Sequence, residues 1–125
     1  LKENNIKNIK LPVSAPFHCS LMNKATNIMR EELNKLNFMN GGNKLISNVT
    51  AKEISNTDEL KDLLIKQIEN RVRWRESAIN MINNDTNHFI EIGPGKVLSG
   101  LIKRISKEVK IDTINNQGDI ESLKI

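Results

Sequence analysis

A chain of 125 residues with 38% apolar content can bury one hydrophobic core, which makes a single globular domain the natural expectation. Its net charge of +4, from 19 basic and 15 acidic residues, is too mild for the dense basic stripe of a nucleic-acid binder, and no apolar run nears the roughly 20 residues that cross a bilayer. The single cysteine excludes an intramolecular disulfide framework and suits a reducing compartment. Neither nucleic acid nor membrane is therefore expected as a partner. An acidic partner or a phosphorylated ligand fits the small basic excess better. Asparagine, lysine and isoleucine are abundant in every segment, so asparagine clusters carry little functional weight. The chain opens on Leu1 inside a polar stretch and no signal peptide is evident, so the expectation is a soluble piece of something longer.

Residues 1–8 are polar and lysine-rich, and Ile9-Lys10-Leu11-Pro12-Val13 alternates as a short strand that its proline demotes toward an edge. His18 follows at the turn. Ser20 is placed to cap a helix whose apolar positions, Leu21, Met22, Ala25, Ile28, Met29, Leu33 and Leu36, share one face over four turns. Gly41-Gly42 marks a loop, and Lys44-Leu45-Ile46-Ser47-Asn48-Val49-Thr50 reads as a buried strand with Asn48 near its carboxyl end, the end that faces ligands in open α/β sheets. Asn56-Thr57-Asp58-Glu59 is a helix-start cluster, and Leu60, Leu63, Leu64 and Ile68 give that helix a buried face up to about Asn70. A second helix begins at Trp74, most simply a packing anchor, and carries Ala78, Ile79 and Ile82. His88-Phe89-Ile90-Glu91-Ile92 is the next strand. Gly93-Pro94-Gly95 turns it into a helix with Val97, Leu98, Leu101, Ile102 and Ile105 on one side. A last strand runs from Val109 to Ile114, and a turn and brief helical start follow at Gln117-Gly118. The alternation of strands and helices predicts an α/β fold with a mainly parallel sheet covered by helices.

Imidazole is the usual protein base near neutral pH, so a histidine at a strand–loop–helix corner is a candidate general base; the competing reading is a surface or hydrogen-bonded histidine. Company elsewhere in the chain raises the first reading. Pro16-Phe17-His18-Cys19-Ser20-Leu21-Met22, Ile46-Ser47-Asn48-Val49-Thr50, Lys66-Gln67-Ile68 followed by Arg71-Val72-Arg73-Trp74, and Glu91-Ile92-Gly93-Pro94-Gly95-Lys96-Val97-Leu98, in this order, resemble the C-terminal portion of the malonyl-CoA:acyl carrier protein transacylase family. The resemblance runs from about Leu11 to about Ile114 and is weakest across residues 38–43 and at the two ends.

The resemblance implies the C-terminal part of an α/β-hydrolase-like acyltransferase fold. Residues 1–14 would end the ferredoxin-like small subdomain, with one strand of it, and residues 15–125 would belong to the α/β-hydrolase-like large subdomain. It implies acyl transfer in two steps, in which a serine takes malonyl from coenzyme A as an ester and the phosphopantetheine thiol of acyl carrier protein removes it, for fatty acid biosynthesis. His18 falls on the family's catalytic base. Gln67 falls on a glutamine whose main-chain carbonyl receives the imidazole, and Asn48 on an asparagine lining that histidine's surroundings. The bland readings are an exposed helix residue for Gln67 and a polar strand end for Asn48. Coenzyme A enters as a substrate thioester, with no cofactor and no metal expected. The implied partners are malonyl-CoA, acyl carrier protein and the remainder of the same polypeptide, in the bacterial cytoplasm or the stroma of an organelle such as a plastid.

No Gly-X-Ser-X-Gly elbow occurs, so the nucleophile and half of the oxyanion hole are missing, as are the family's malonyl-clamping arginine and oxyanion glutamine. A C-terminal fragment that does not turn over by itself is the expectation. Two alternatives stay open: the acyltransferase domain of a polyketide synthase, which shares these motifs, and a non-catalytic α/β module binding an acidic partner. Phe17 before His18 resembles the malonyl-selecting versions. His88 reads as structural, Cys19 as packing, and Gly93-Pro94-Gly95 as a tight turn in preference to a phosphate seat. Arg71, Arg73, Arg75, Lys103, Arg104 and Lys107 read as a solvated surface, or as a receiver of an acidic carrier protein.

Overall fold

The computed structural model describes residues 14–39 and 41–123. The strand expected at residues 9–13 lies outside them. A 3₁₀ turn at Ser20–Met22 leads into helix α1 (Asn23–Asn34), and Ser20 sits inside that turn while Cys19 holds the turn's cap position without a capping side-chain bond. The expected cap at Ser20 is thus absent: the 3₁₀ turn moves the start of α1 on, and Met22 takes its cap position. The apolar stripe of this segment is present but only partly covered: Met22, Ala25 and Leu33 are half-buried and Thr26 is the one buried residue of α1, while Leu21, Ile28, Met29 and Leu36 are exposed, Leu21 to 77%. Periodicity says which face is apolar and is silent on what covers it.

Residues 44–54 correct the expectation of a strand. Ile46 and Glu53 form an isolated antiparallel bridge, with Ile54 N donating to Leu45 O and Ser47 N to Lys52 O, both at 2.9 Å. Ser47 Oγ accepts from the amides of Val49 and Thr50 at 3.1 and 3.4 Å, so the hydroxyl folds the chain back where β-branched residues alone suggested it would run on. Ala51 takes φ +57 at the corner. Asn48 therefore sits in a tight turn and not at the end of a strand.

Helix α2 (Thr57–Lys66) starts as its sequence predicts. The Asn56 side chain accepts from Glu59 N at 2.8 Å, and Glu59 Oε2 reaches back to Ser55 N at 2.8 Å and Ser55 Oγ at 2.6 Å. The Ser55 hydroxyl and amide hold the Glu59 carboxyl below its ordinary range. Leu63 and Ile65 bury the inner face, and the helix ends at Lys66, short of the expected Asn70. Helix α3 (Trp74–Asn83) is tied to the 47–51 turn: Arg73 N donates to Asn48 O at 2.9 Å, and Asn80 Nδ2 to Ala51 O at 2.9 Å.

Strand β1 (His88–Ile92), helix α4 (Val97–Ile105) and strand β2 (Lys110–Ile114) form a β–α–β unit with the strands parallel, His88 opposite Lys110 and Ile92 opposite Ile114. That pair is the only sheet among the described residues. It carries the expected α/β character with parallel strands. Helix α4 lies against α3 and both strands, burying Ser99 and Ile102 while Val97, Leu98 and Leu101 stay exposed. Ala78 of α3, with no exposed surface, is the most buried residue of a small apolar core completed by Ala51, Leu63, Ile65 and Ile102. Gly93 and Gly95 adopt φ +138 and +97, and Gly95 N donates to Asn115 Oδ1 at 2.6 Å, so the turn after β1 is latched to the end of β2. Helix α5 (Gln117–Ser122) closes the described chain behind a reciprocal cap between Asn116 and Asp119.

Glu91 caps α4 from outside. Its carboxylate accepts from the amides of Leu98 at 3.0 Å and Ser99 at 2.7 Å. Ser99, through its amide, and then the amides of Leu98 and Val97 hold this carboxyl below its ordinary value. A carboxyl depressed on folding contributes stability above its unfolded value of about 4.3 and withdraws it as pH falls through the lower folded value. The acid limb of thermal stability below pH ~4.3 is therefore expected to be shallower in Glu91→Gln. Coincident acid limbs in the two proteins would remove Glu91 from the balance.

Candidate functional site

His18 lies on the turn preceding α1 with φ +63, a left-handed conformation that costs a non-glycine residue energy and marks a position held by its surroundings. What holds it is the C-terminal end of α2. His18 N donates to Ile68 O at 3.2 Å, and the ring Nδ1 lies 2.9 Å from Gln67 O and 3.0 Å from Asn70 O. Carbonyl oxygens only accept, so Nδ1 carries the proton, and neutral His18 presents a lone pair at Nε2. None of the described residues bonds Nε2, and the side chain is exposed.

Gln67 reaches the third residue of the predicted set. Its side-chain Oε1 accepts from Asn48 Nδ2 at 3.2 Å. Asn48 therefore touches the backbone element that touches His18, although it is not bonded to the imidazole. Asn48 and Gln67 also edge a cavity of about 130 Å³ lined, apart from them and Ser47, by apolar residues including Leu45, Ile54, Leu60 and Leu63. Low polarity on that side strengthens the amide–amide bond and penalises its loss.

The remaining candidates make no side-chain bond to this cluster. His88 Nε2 pairs with Asp112 Oδ2 at 2.7 Å across the parallel strands, and this bond, with Lys110 beside it, holds the Asp112 carboxyl below its usual range. Cys19 donates its thiol to Pro16 O at 3.1 Å. Arg71 and Arg73 both reach Glu76 Oε1 at 3.3 Å, and Arg73 also donates to Thr50 O, so the arginine cluster is partly committed to internal contacts. Among the described residues no group of three metal-ligating side chains occurs, and no helix is long and apolar enough to cross a membrane. Asn70 and Ile68 escaped the sequence reading because they act through main-chain carbonyls. The available signal was positional: asparagine is favoured just past a helix end.

No family model matches the chain. Sequence comparison finds malonyl CoA-acyl carrier protein transacylase of Bacillus subtilis, 39% identical over 121 residues, covering 96% of this chain. Over the matched stretch the chain is similar to malonyl CoA-acyl carrier protein transacylases. This chain spans 38% of that relative's length. Structural comparison agrees: the acyl-carrier-protein S-malonyltransferase of Bartonella henselae matches with TM-score 0.83 and 42% identity over 90% of this chain and 36% of that one. A malonyl-transacylase solved in complex with a type II polyketide-synthase acyl-carrier protein matches with TM-score 0.83 and 30% identity, over 90% of this chain and 36% of that one. The α/β fold expected from the order of elements is thus the fold of this family's members over the matched stretch.

Proposed function

We propose that this chain supplies the histidine half of a malonyl-CoA:acyl carrier protein transacylase, with His18 as general base and the Gln67 carbonyl as its orienting acceptor. The observation that carries the reading is the ring's polarity: Nδ1 is tied to carbonyls at 2.9 and 3.0 Å, leaving Nε2 to take a proton. In this scheme a serine hydroxyl, contributed by the remainder of the polypeptide, attacks the malonyl thioester carbon as its proton passes to Nε2. The tetrahedral intermediate then collapses, breaking the C–S bond, and the imidazolium returns the proton to the coenzyme A thiolate. The phosphopantetheine thiol of acyl carrier protein then gives its proton to Nε2 and attacks the serine ester; the C–O bond breaks, malonyl passes to sulfur, and the imidazolium returns the proton to the serine oxygen. A neutral carbonyl fixes tautomer and ring direction but stabilises imidazolium less than a carboxylate would.

Support for a carrier protein as acceptor comes from the family and from the neighbour solved with its carrier. Residues 15–125 correspond in this reading to large-subdomain sequence, in a soluble enzyme of fatty acid biosynthesis needing no cofactor. Intact-mass spectrometry of the complete polypeptide after exposure to malonyl-CoA tests the proposal. A malonyl ester on one serine, discharged by acyl carrier protein, is the expected result. Failure to load malonyl, or an ester released only to water, would overturn it.

A further inference from the structure

Three main-chain carbonyls at the end of one helix converge on one histidine, and only one of them, Gln67, was accounted for by the family pattern. A helix leaves its last carbonyls without intrahelical partners, and here their disposition is specific. Lys66 O is saturated within the turn, accepting from Glu69 N at 3.3 Å, Asn70 N at 3.1 Å and Asn70 Nδ2 at 2.7 Å. Gln67 O, Ile68 O and Asn70 O are given to His18. The Asn70 side chain therefore does a separate job from its carbonyl: by donating to the residue four positions back, it pins the backbone turn that aims Asn70 O at Nδ1.

We infer that Asn70 is a positioning residue, its side-chain bond to Lys66 O fixing a second carbonyl acceptor at 3.0 Å that, with Gln67 O, locks His18 in the Nδ1–H tautomer. This rests on the reading of His18 as the base for its kinetic consequence, and not for its structural one. Two acceptors on one N–H restrain the ring in two directions, whereas one would let it pivot about a single bond. The α2 end also presents the negative pole of the helix, a favourable setting for a ring that becomes cationic in mid-reaction.

The test uses the complete polypeptide labelled with 15N-histidine, read by the ring-nitrogen spectrum and by the rate of serine loading from malonyl-CoA. Asn70→Ala removes the latch while leaving a backbone carbonyl. Asn70→Ser keeps a donor, since a serine hydroxyl can bond the carbonyl four residues back. In the unchanged protein the neutral His18 ring is expected as Nδ1–H. In Asn70→Ala it is expected as a mixture of tautomers, with loading slowed roughly 10-fold by loss of alignment, and Asn70→Ser should recover most of both. An Asn70→Ala spectrum identical to that of the unchanged protein would overturn the inference, as would an Asn70→Ser protein no better than Asn70→Ala. Mixed tautomers in Asn70→Ala with undiminished loading, accompanied by undiminished loading in His18→Ala, would support the carbonyl lock while sinking the assignment of His18 as base.

Discussion

Replacement of His18 by alanine in the complete polypeptide is expected to slow loading of malonyl from malonyl-CoA by about 10²–10⁴-fold, the contribution of a positioned acid–base group. Both proton transfers are lost at once, from the attacking serine and to the departing thiolate. Gln67→Ala should cost far less, about 10-fold or under, because the accepting carbonyl survives and only the 3.2 Å bond from Asn48 is removed. That asymmetry separates a base oriented by main chain from a side-chain triad, which would lose heavily at both positions. His18→Asn is the proper companion variant, since asparagine tolerates the left-handed backbone at φ +63 that alanine resists. Rapid-quench labelling of the serine reads all three. Near-unchanged labelling in both His18 variants, with native circular dichroism, would falsify the general-base assignment.

The second large effect concerns the 125 residues expressed by themselves. No large side chain among the described residues is fully buried, and Leu21, Ile92 and Val97 stand 77%, 79% and 71% exposed. The Trp74 indole N–H is buried without an acceptor among the described residues, an unusual state for a finished interior. Exposed apolar surface on this scale marks a face that something else covers, and the relatives are more than twice as long. The isolated chain is therefore expected to bind a hydrophobic dye strongly and to unfold in urea without a sharp transition. A monomeric, dye-silent chain with a steep two-state transition would show instead that this small core suffices.

Much of this was legible in the residues, for identifiable reasons. Helix α2 announced itself by its Asn56–Glu59 start and apolar spacing, α3 by spacing from Trp74, α4 by spacing after the Gly93-Pro94-Gly95 turn, and β1 and β2 by short β-branched runs between turn residues. His18, Asn48 and Gln67 were found through a pattern of motifs, and the structure brings them into one cluster. Residues 44–50 misled because β-branched composition outvoted Ser47, whose hydroxyl folds the segment back within three residues. The end of α2 misled because Ile68 continues the apolar spacing, while the hydrogen bonds past Lys66 loosen into turns that free the carbonyls. Asn70 was passed over because its carbonyl, like any main-chain acceptor, has no residue type to recognise, and asparagine past a helix end was the one signal it offered.

A base seated on main-chain oxygens also has an unusual pattern of vulnerability. Side chains along the exposed face of α2 can be exchanged without moving Gln67 O, Ile68 O or Asn70 O, so substitution there touches the seat only through the latch at Asn70. Length is another matter. Each residue advances a helix by about 100°, so inserting or deleting a single position between the cap at Asn56 and the turn at Asn70 would swing all three oxygens away from the imidazole. The number of residues in α2, more than their identity, is what the site holds fixed.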